Sequence, residues 1–346
     1  MSNTIGMQGI GFVEFNSQDQ KYLEQLFLEF GFSKIRQHKK NDIAYYKQNN
    51  IHFFLNQEKS SYSTHFMDQH GPCISSMGWC FADPAKAYQL ALSRGAQAAK
   101  GDLFFESGEI VPAIYGIGGS LIYFINKQMT QNKFAEIGFV PSKNPIVQNT
   151  KGFLSIDHLT NNVENGQMQK WSDFYKTVFE FTEVRYFDIR GAQTGLTSYA
   201  LKSPCGEFCI PINEAKESKS QINEYIEEYK GPGVQHLAFL TENILDSLEQ
   251  LKNTHVKTLD IDDEYYSEIF NKFPHVSEDH QKIKNYNVLV DGDEHGYLLQ
   301  IFTKNVIGPI FIEIIQRKNH YSFGEGNFGA LFRSIERDQM KRGYLK

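Results

Sequence analysis

Short apolar runs alternate along this chain with stretches whose apolar residues recur at helical spacing. Residues 10–15 and 154–159 read as strands, and the amphipathic stretches 22–29 and 171–178 that follow them read as helices of about three turns. Phe30-Gly31-Phe32 and Phe179-Glu180-Phe181 then open segments rich in β-formers. The order recurs inside each half: residues 79–82 precede the periodic run 85–93, and residues 237–240 precede 244–251. A strand, a helix and then more strands, repeated in this way, read as an α+β architecture.

Local correspondences join the two halves. Residues 51–56 parallel 208–213, Gly71-Pro72-Cys73-Ile74 parallels Gly231-Pro232-Gly233-Val234, and residues 119–127 align without gaps on 296–304. Two related domains are expected, residues 1–150 and 151–346, each of paired βαβββ units forming a curved, barrel-like mixed sheet. Residues 214–230 are polar and helical by pattern and read as a connector.

Composition narrows the function classes. Lys plus Arg is 35 against 41 for Asp plus Glu, so the net charge of -6 argues against a nucleic-acid partner. No window reaches the eighteen apolar residues of a spanning helix, so no membrane partner is expected. The first residues carry neither a basic nor an apolar secretory region. Four cysteines in 346 residues are no disulfide scaffold, which fits reduced thiols in the cytoplasm. Cys205 and Cys209, spaced CxxxC with no second pair, are a weak zinc signal.

Most of the eleven histidines lie in polar or unremarkable surroundings. His158 and His236 each sit inside an apolar strand that opens a unit of the second domain, and Glu313 is flanked on both sides by Phe and Ile. A buried carboxylate needs a cation. His236 lies 78 residues after His158, and Glu313 lies 77 after His236. Glu313 could pair with Arg317 or Lys318 while each histidine bonds to backbone. The repeat logic favours a metal instead: two His and one carboxylate make a facial triad suited to non-haem Fe(II) and oxygen. Phe12 falls opposite His158, and Met77 roughly opposite His236, so one site per chain is expected.

The residues around these ligands resemble those of the 4-hydroxyphenylpyruvate dioxygenase family, within the vicinal oxygen chelate (glyoxalase/bleomycin-resistance) fold group. The resemblance rests on Ile156-Asp157-His158-Leu159-Thr160, Pro211-Ile212-Asn213-Glu214, Val234-Gln235-His236-Leu237-Ala238, residues 298–304, residues 309–317 and Phe323-Gly324-Glu325-Gly326-Asn327-Phe328. It implies Fe(II) held by His158, His236 and Glu313, and conversion of 4-hydroxyphenylpyruvate and O2 to homogentisate and CO2 in tyrosine and phenylalanine catabolism. It further implies that Ser198, Asn213, Gln235 and Gln300 serve catalysis, and that Gln221, Phe302, Phe323, Asn327 and Phe328 bind substrate. A last helix near residues 329–343, carrying Phe332, Ile335 and Met340, should cover the pocket. Family members are homodimers or homotetramers, with the first domain as a scaffold. Homogentisate oxidises to brown pigment. The rival readings are 4-hydroxymandelate synthase, an extradiol catechol dioxygenase, and a non-enzymatic binding protein of the same fold.

Overall fold

The structure is a computed structural model that describes residues 2–190 and 193–345. Met1 and Lys346, the outer limits of the two expected domains, lie outside the described residues. The first half runs β1 (Met7–Asn16), α1 (Gln20–Glu29), β2 (Ser33–His38), β3 (Ile43–Gln48), β4 (Ile51–Asn56), α2 (Tyr62–His70), β5 (Cys73–Phe81), α3 (Pro84–Ser93), β6 (Ala98–Ala99), β7 (Ala113–Tyr115), β8 (Leu121–Ile125), α4 (Lys127–Gln131) and β9 (Phe139–Ile146). The second runs β10 (Phe153–Val163), α5 (Met168–Phe179), β11 (Thr182–Arg190), β12 (Gly195–Lys202), β13 (Cys209–Ala215), α6 (Gln221–Tyr229), β14 (Gly233–Thr241), α7 (Ile244–Leu251), α8 (Asp263–Lys272), α9 (His280–Asn285), β15 (Leu289–Gly292), β16 (Tyr297–Phe302), β17 (Phe311–Lys318) and α10 (Phe328–Arg342).

Each half forms one mixed sheet from two βαβββ units. In the first the strand order is β6-β7-β8-β5-β1-β4-β3-β2-β9; in the second it is β11-β12-β13-β10-β14-β17-β16-β15. The units open alike: Asp19 and Asp83 cap α1 and α3 by accepting from the backbone N–H of Tyr22 and Lys86. Each helix crosses between parallel strands, β1 with β4, β5 with β8, β10 with β13 and β14 with β17. The two units of a half join antiparallel, β1 to β5 and β10 to β14.

A shared aromatic core ties the halves together. Phe239 packs against Phe30, Phe32 and Phe53 of the first half, and Trp79 against Tyr175, Phe179, Phe181 and Phe208 of the second.

The topology corrects three expectations. The gapless match of residues 119–127 on 296–304 is displaced by one strand. β8 is parallel to β5 as β17 is to β14, so β8 takes the place of β17 and the three-residue β7 that of β16. Neighbouring strands of one unit carry similar apolar runs, and β7 is too short to be seen beside them. Register also replaces Met77 by Ser76 as the counterpart of His236: Glu14 faces Ser76 as Thr160 faces His236. A slip of one residue puts a side chain on the other face of a strand, and Met77 lies in the core shared by both halves. Finally, the stretch 214–230 is no mere connector. It ends β13 and forms α6, whose Ile222, Tyr225 and Tyr229 are buried one and two turns apart.

Candidate metal centre and its cavity

Three neighbouring central strands supply the ligands. His158 on β10 stands opposite Ala238 on β14, and Ala238 stands opposite Glu313 on β17. His236 lies two residues before Ala238 and so on the same face. Nε2 of His158 is 3.1 Å, and Nε2 of His236 3.4 Å, from Oε2 of Glu313. All three side chains are buried, and their ligand atoms lie within 4.8 Å of one another; no other such group occurs among the described residues.

Of the two alternative partners for Glu313, Lys318 is exposed at the end of β17 and Arg317 is engaged elsewhere. Arg317 grips Asp157 through two parallel bonds, Nε to Oδ1 at 2.7 Å and an Nη to Oδ2 at 2.8 Å. Burial pushes the Glu313 carboxyl up, but the two imidazoles outweigh it and hold it down at about 2. Burial opposes a charge on His158 as well, yet Glu313 and Asp157 raise it to about 9. Burial pushes His236 below the ordinary imidazole value. A buried carboxylate held between two imidazoles is a donor set that suits a divalent cation. Nδ1–H of His158 donates to Asp157 Oδ2 at 2.7 Å, and that of His236 to Gln235 Oε1 at 3.1 Å. With both Nδ1 atoms so engaged, it is the Nε2 atoms that face Glu313 and that would turn to a metal ion.

A cavity opens beside the triad. Among its walls are Ser198, Asn213, Gln221, Gln235, Phe302, Phe323 and Phe328, together with His158, His236 and Glu313. Register places the polar ones in a row across the sheet: Phe187 pairs with Ser198, Ser198 with Asn213, and Asn213 with Asn162. Asn213 Nδ2 is 3.3 Å from Asn162 Oδ1 and 3.5 Å from Gln235 Oε1, so the row leads to His236. Gln221 is the first residue of α6, after its cap Ser220.

Two expected site residues do not reach the cavity. Gln300 is fully buried beneath the backbone of Gly324, its Oε1 without a partner. Asn327 is buried at the start of α10, where its Oδ1 accepts from the Tyr265 hydroxyl at 2.7 Å. Phe332 and Ile335 of α10 line the cavity, whereas Met340 is 42% exposed and turns away. The helix is held by Glu224, which accepts from Gln339 Nε2 at 2.9 Å and from the Arg342 guanidinium. Which charged residues of 336–342 face α6 depends on where the helix docks.

Sequence reasoning missed Phe187, Ile189, Leu196, Phe311 and Leu331 in the cavity wall. Phe187 and Ile189 flank Asp188 on a strand otherwise largely exposed, an i, i+2 apolar pair that was legible. Phe311 was legible too, two residues before Glu313; its ring stacks on His236 at 4.6 Å.

Comparison with known proteins gives a consistent picture. Residues 1–140 match the family described as hydroxyphenylpyruvate dioxygenase (HPPD), N-terminal, and residues 155–300 match the glyoxalase/bleomycin resistance protein/dioxygenase superfamily. The chain is 55% identical to Protein MelA of Shewanella colwelliana, covering 99% of each chain. It is 42% identical to 4-hydroxyphenylpyruvate dioxygenase of Legionella pneumophila, over 100% of this chain and 98% of that one. Among solved structures, a xylose isomerase-like TIM barrel/4-hydroxyphenylpyruvate dioxygenase fusion protein superposes with a TM-score of 0.80 at 26% identity, over 96% of this chain and 53% of that one. A triple mutant of 4-hydroxymandelate synthase from Streptomyces coelicolor gives 0.82 at 20% identity, over 96% and 99%, which is a likeness of fold.

Proposed function

Because this chain belongs to the 4-hydroxyphenylpyruvate dioxygenase family, we propose that it converts 4-hydroxyphenylpyruvate and O2 to homogentisate and CO2. The observation that carries this reading is the buried His158, His236 and Glu313 triad opening on an aromatic cavity with a row of neutral polar groups. Fe(II) bound by these three side chains would supply the redox chemistry with O2 that no side chain can.

The chain's own residues bind, orient and exclude water. His158, His236 and Glu313 would hold the ion with three protein donors, so that it would stay open to a 2-oxo acid and O2 on the cavity side. Phe302, Phe323 and Phe328 wall the ring, and Phe187 meets Phe328 edge-on at 5.3 Å. Ser198, Asn213, Gln221 and Gln235 hold the phenol by hydrogen bonds without adding charge. Gln300 and Asn327 act from beneath, on the turn that precedes α10. Closing α10 over the cavity dries the site and strengthens every electrostatic contact inside it.

The first domain serves as scaffold and assembly surface for a homodimer or homotetramer, which light scattering on the purified chain measures. The enzyme works in the cytoplasm, in keeping with four cysteines that form no disulfide. No helix of the described residues is long and apolar enough to cross a membrane.

The test is anaerobic loading with Fe(II), then 4-hydroxyphenylpyruvate and O2, with chromatographic identification of the product. Homogentisate is expected from the wild type, and none from His158→Ala, His236→Ala or Glu313→Ala. Hydroxymandelate as the product would assign the chain to benzylic hydroxylation instead, and turnover in a metal-checked triad variant would overturn the reading.

A further inference from the structure

Asp157 and Arg317 form an ion pair between β10 and β17, the strands that carry His158 and Glu313. Their side chains are 13% and 12% exposed, so the pair is largely out of water. The guanidinium spends two donors on the carboxylate, at 2.7 and 2.8 Å. Asp157 Oδ2, which receives one of them, also accepts the Nδ1–H of His158 at 2.7 Å. A third Arg317 nitrogen donates to two backbone carbonyls, that of His320 at 3.2 Å and that of Ser322 at 2.7 Å. Ser322 directly precedes Phe323, whose ring meets the His158 imidazole edge-on at 5.7 Å and that of Phe187 at 6.0 Å.

We propose that Arg317 is a positioning residue that fixes His158 through Asp157 and, from the same guanidinium, sets the loop that presents Phe323 to the substrate. The inference rests on the Fe(II) dioxygenase reading above. Two physical points single this pair out. A buried Arg and Asp cost solvation, and a well-packed apolar pair would serve stability as well; the reason for the pair beside a ligand is sought in what it orients. The partner of a ligating histidine also sets its ring plane and donor strength, and here the two histidines differ. His236 leans on the neutral Gln235 amide, whereas His158 leans on a carboxylate that is itself clamped. The His236 side connects through Gln235 to the polar row of the cavity, whereas the His158 side connects through the Arg317 clamp to the loop that carries Phe323. The planar fork is needed for this, because an ammonium cannot hold two carboxylate oxygens and two carbonyls at once.

The experiment strips the full-length chain of metal and titrates it anaerobically with Co(II), reading affinity and ligand-field bands. Steady-state kinetics at saturating Fe(II) and thermal melting run alongside. Asp157→Asn is expected to weaken Co(II) binding about 10–100-fold and to shift the bands, with KM for 4-hydroxyphenylpyruvate changed by less than about two-fold. Arg317→Met is expected to weaken Co(II) binding similarly and also to raise KM by about ten-fold, as the loop loses its carbonyl clamp. Arg317→Lys keeps a cation beside Asp157, so metal affinity should return to within about three-fold of wild type while KM stays raised.

Folded Asp157→Asn with wild-type affinity and bands would overturn the first half of the proposal, and wild-type KM in Arg317→Lys the second. Should Arg317→Met fail to fold, those two variants still decide. A wild-type chain that binds Co(II) through the triad yet makes no homogentisate would instead sink the dioxygenase reading.

Discussion

His158 and Glu313 meet over the width of an intervening strand: their Nε2 and Oε2 atoms stand 3.1 Å apart with Ala238 between their backbones. Ala238 is fully buried on the same face, near Leu298 and Ile315. A side chain larger than a methyl would stand in the gap that the ligands close. Ala238→Leu should therefore overpack the row by about 1–3 kcal/mol and abolish Fe(II) binding, while Ala238→Gly keeps it. Metal analysis after desalting distinguishes the two.

The same row in the first sheet reads Phe12, Gly78, Tyr123. Ser76 takes the place of His236, so none of the three ligand positions is kept. The Phe12 ring itself covers Gly78, and Phe134, fully buried, packs behind it, meeting Phe12 at 5.8 Å and Phe54 at 4.9 Å. Phe134→Ala should cost about 3–5 kcal/mol of stability and leave one iron per chain. Urea denaturation and iron analysis of the same preparation check both halves of this expectation.

Gly324 adopts φ 78°, in the left-handed region, directly above Gln300. A Cβ there would fall 2.6 Å from Nε2 of Gln300, as well as straining the backbone. Gly324→Ala should displace Gln300 and the Phe323 wall together, lowering kcat/KM about 10–100-fold with iron content unchanged. Loss of iron in this variant would place the turn's influence on the ligands rather than on the substrate.

Glu14 is buried in the first sheet with Ser76, Asn56 and Ser75 as its hydrogen-bond partners. Burial raises its carboxyl above the ordinary value of 4.5, against the pull of those bonds. The folded state thus keeps a proton that the unfolded state has released, so stability falls as pH rises from about 4.5 through the raised folded value. Glu14→Gln should remove that slope. Its stability relative to wild type should grow from acid to neutral pH, read from denaturant midpoints across the range. A constant difference would show that Glu14 titrates alike in both states.

What the chain's own order of residues determined was local: the strand–helix alternation, the two-fold repeat, and a carboxylate and two histidines set in apolar strands, where a polar group must find a partner. That much follows from periodicity and from the cost of burying charge. Which strand of the first half answers to β17, whether Ser76 or Met77 stands opposite His236, and whether Arg317 serves Glu313 or Asp157 were decided only by the folded sheets. Each depends on strand order or on a register of one residue, and neighbouring apolar strands carry nearly the same pattern, so pairing energy between distant segments settles what composition along one segment leaves degenerate.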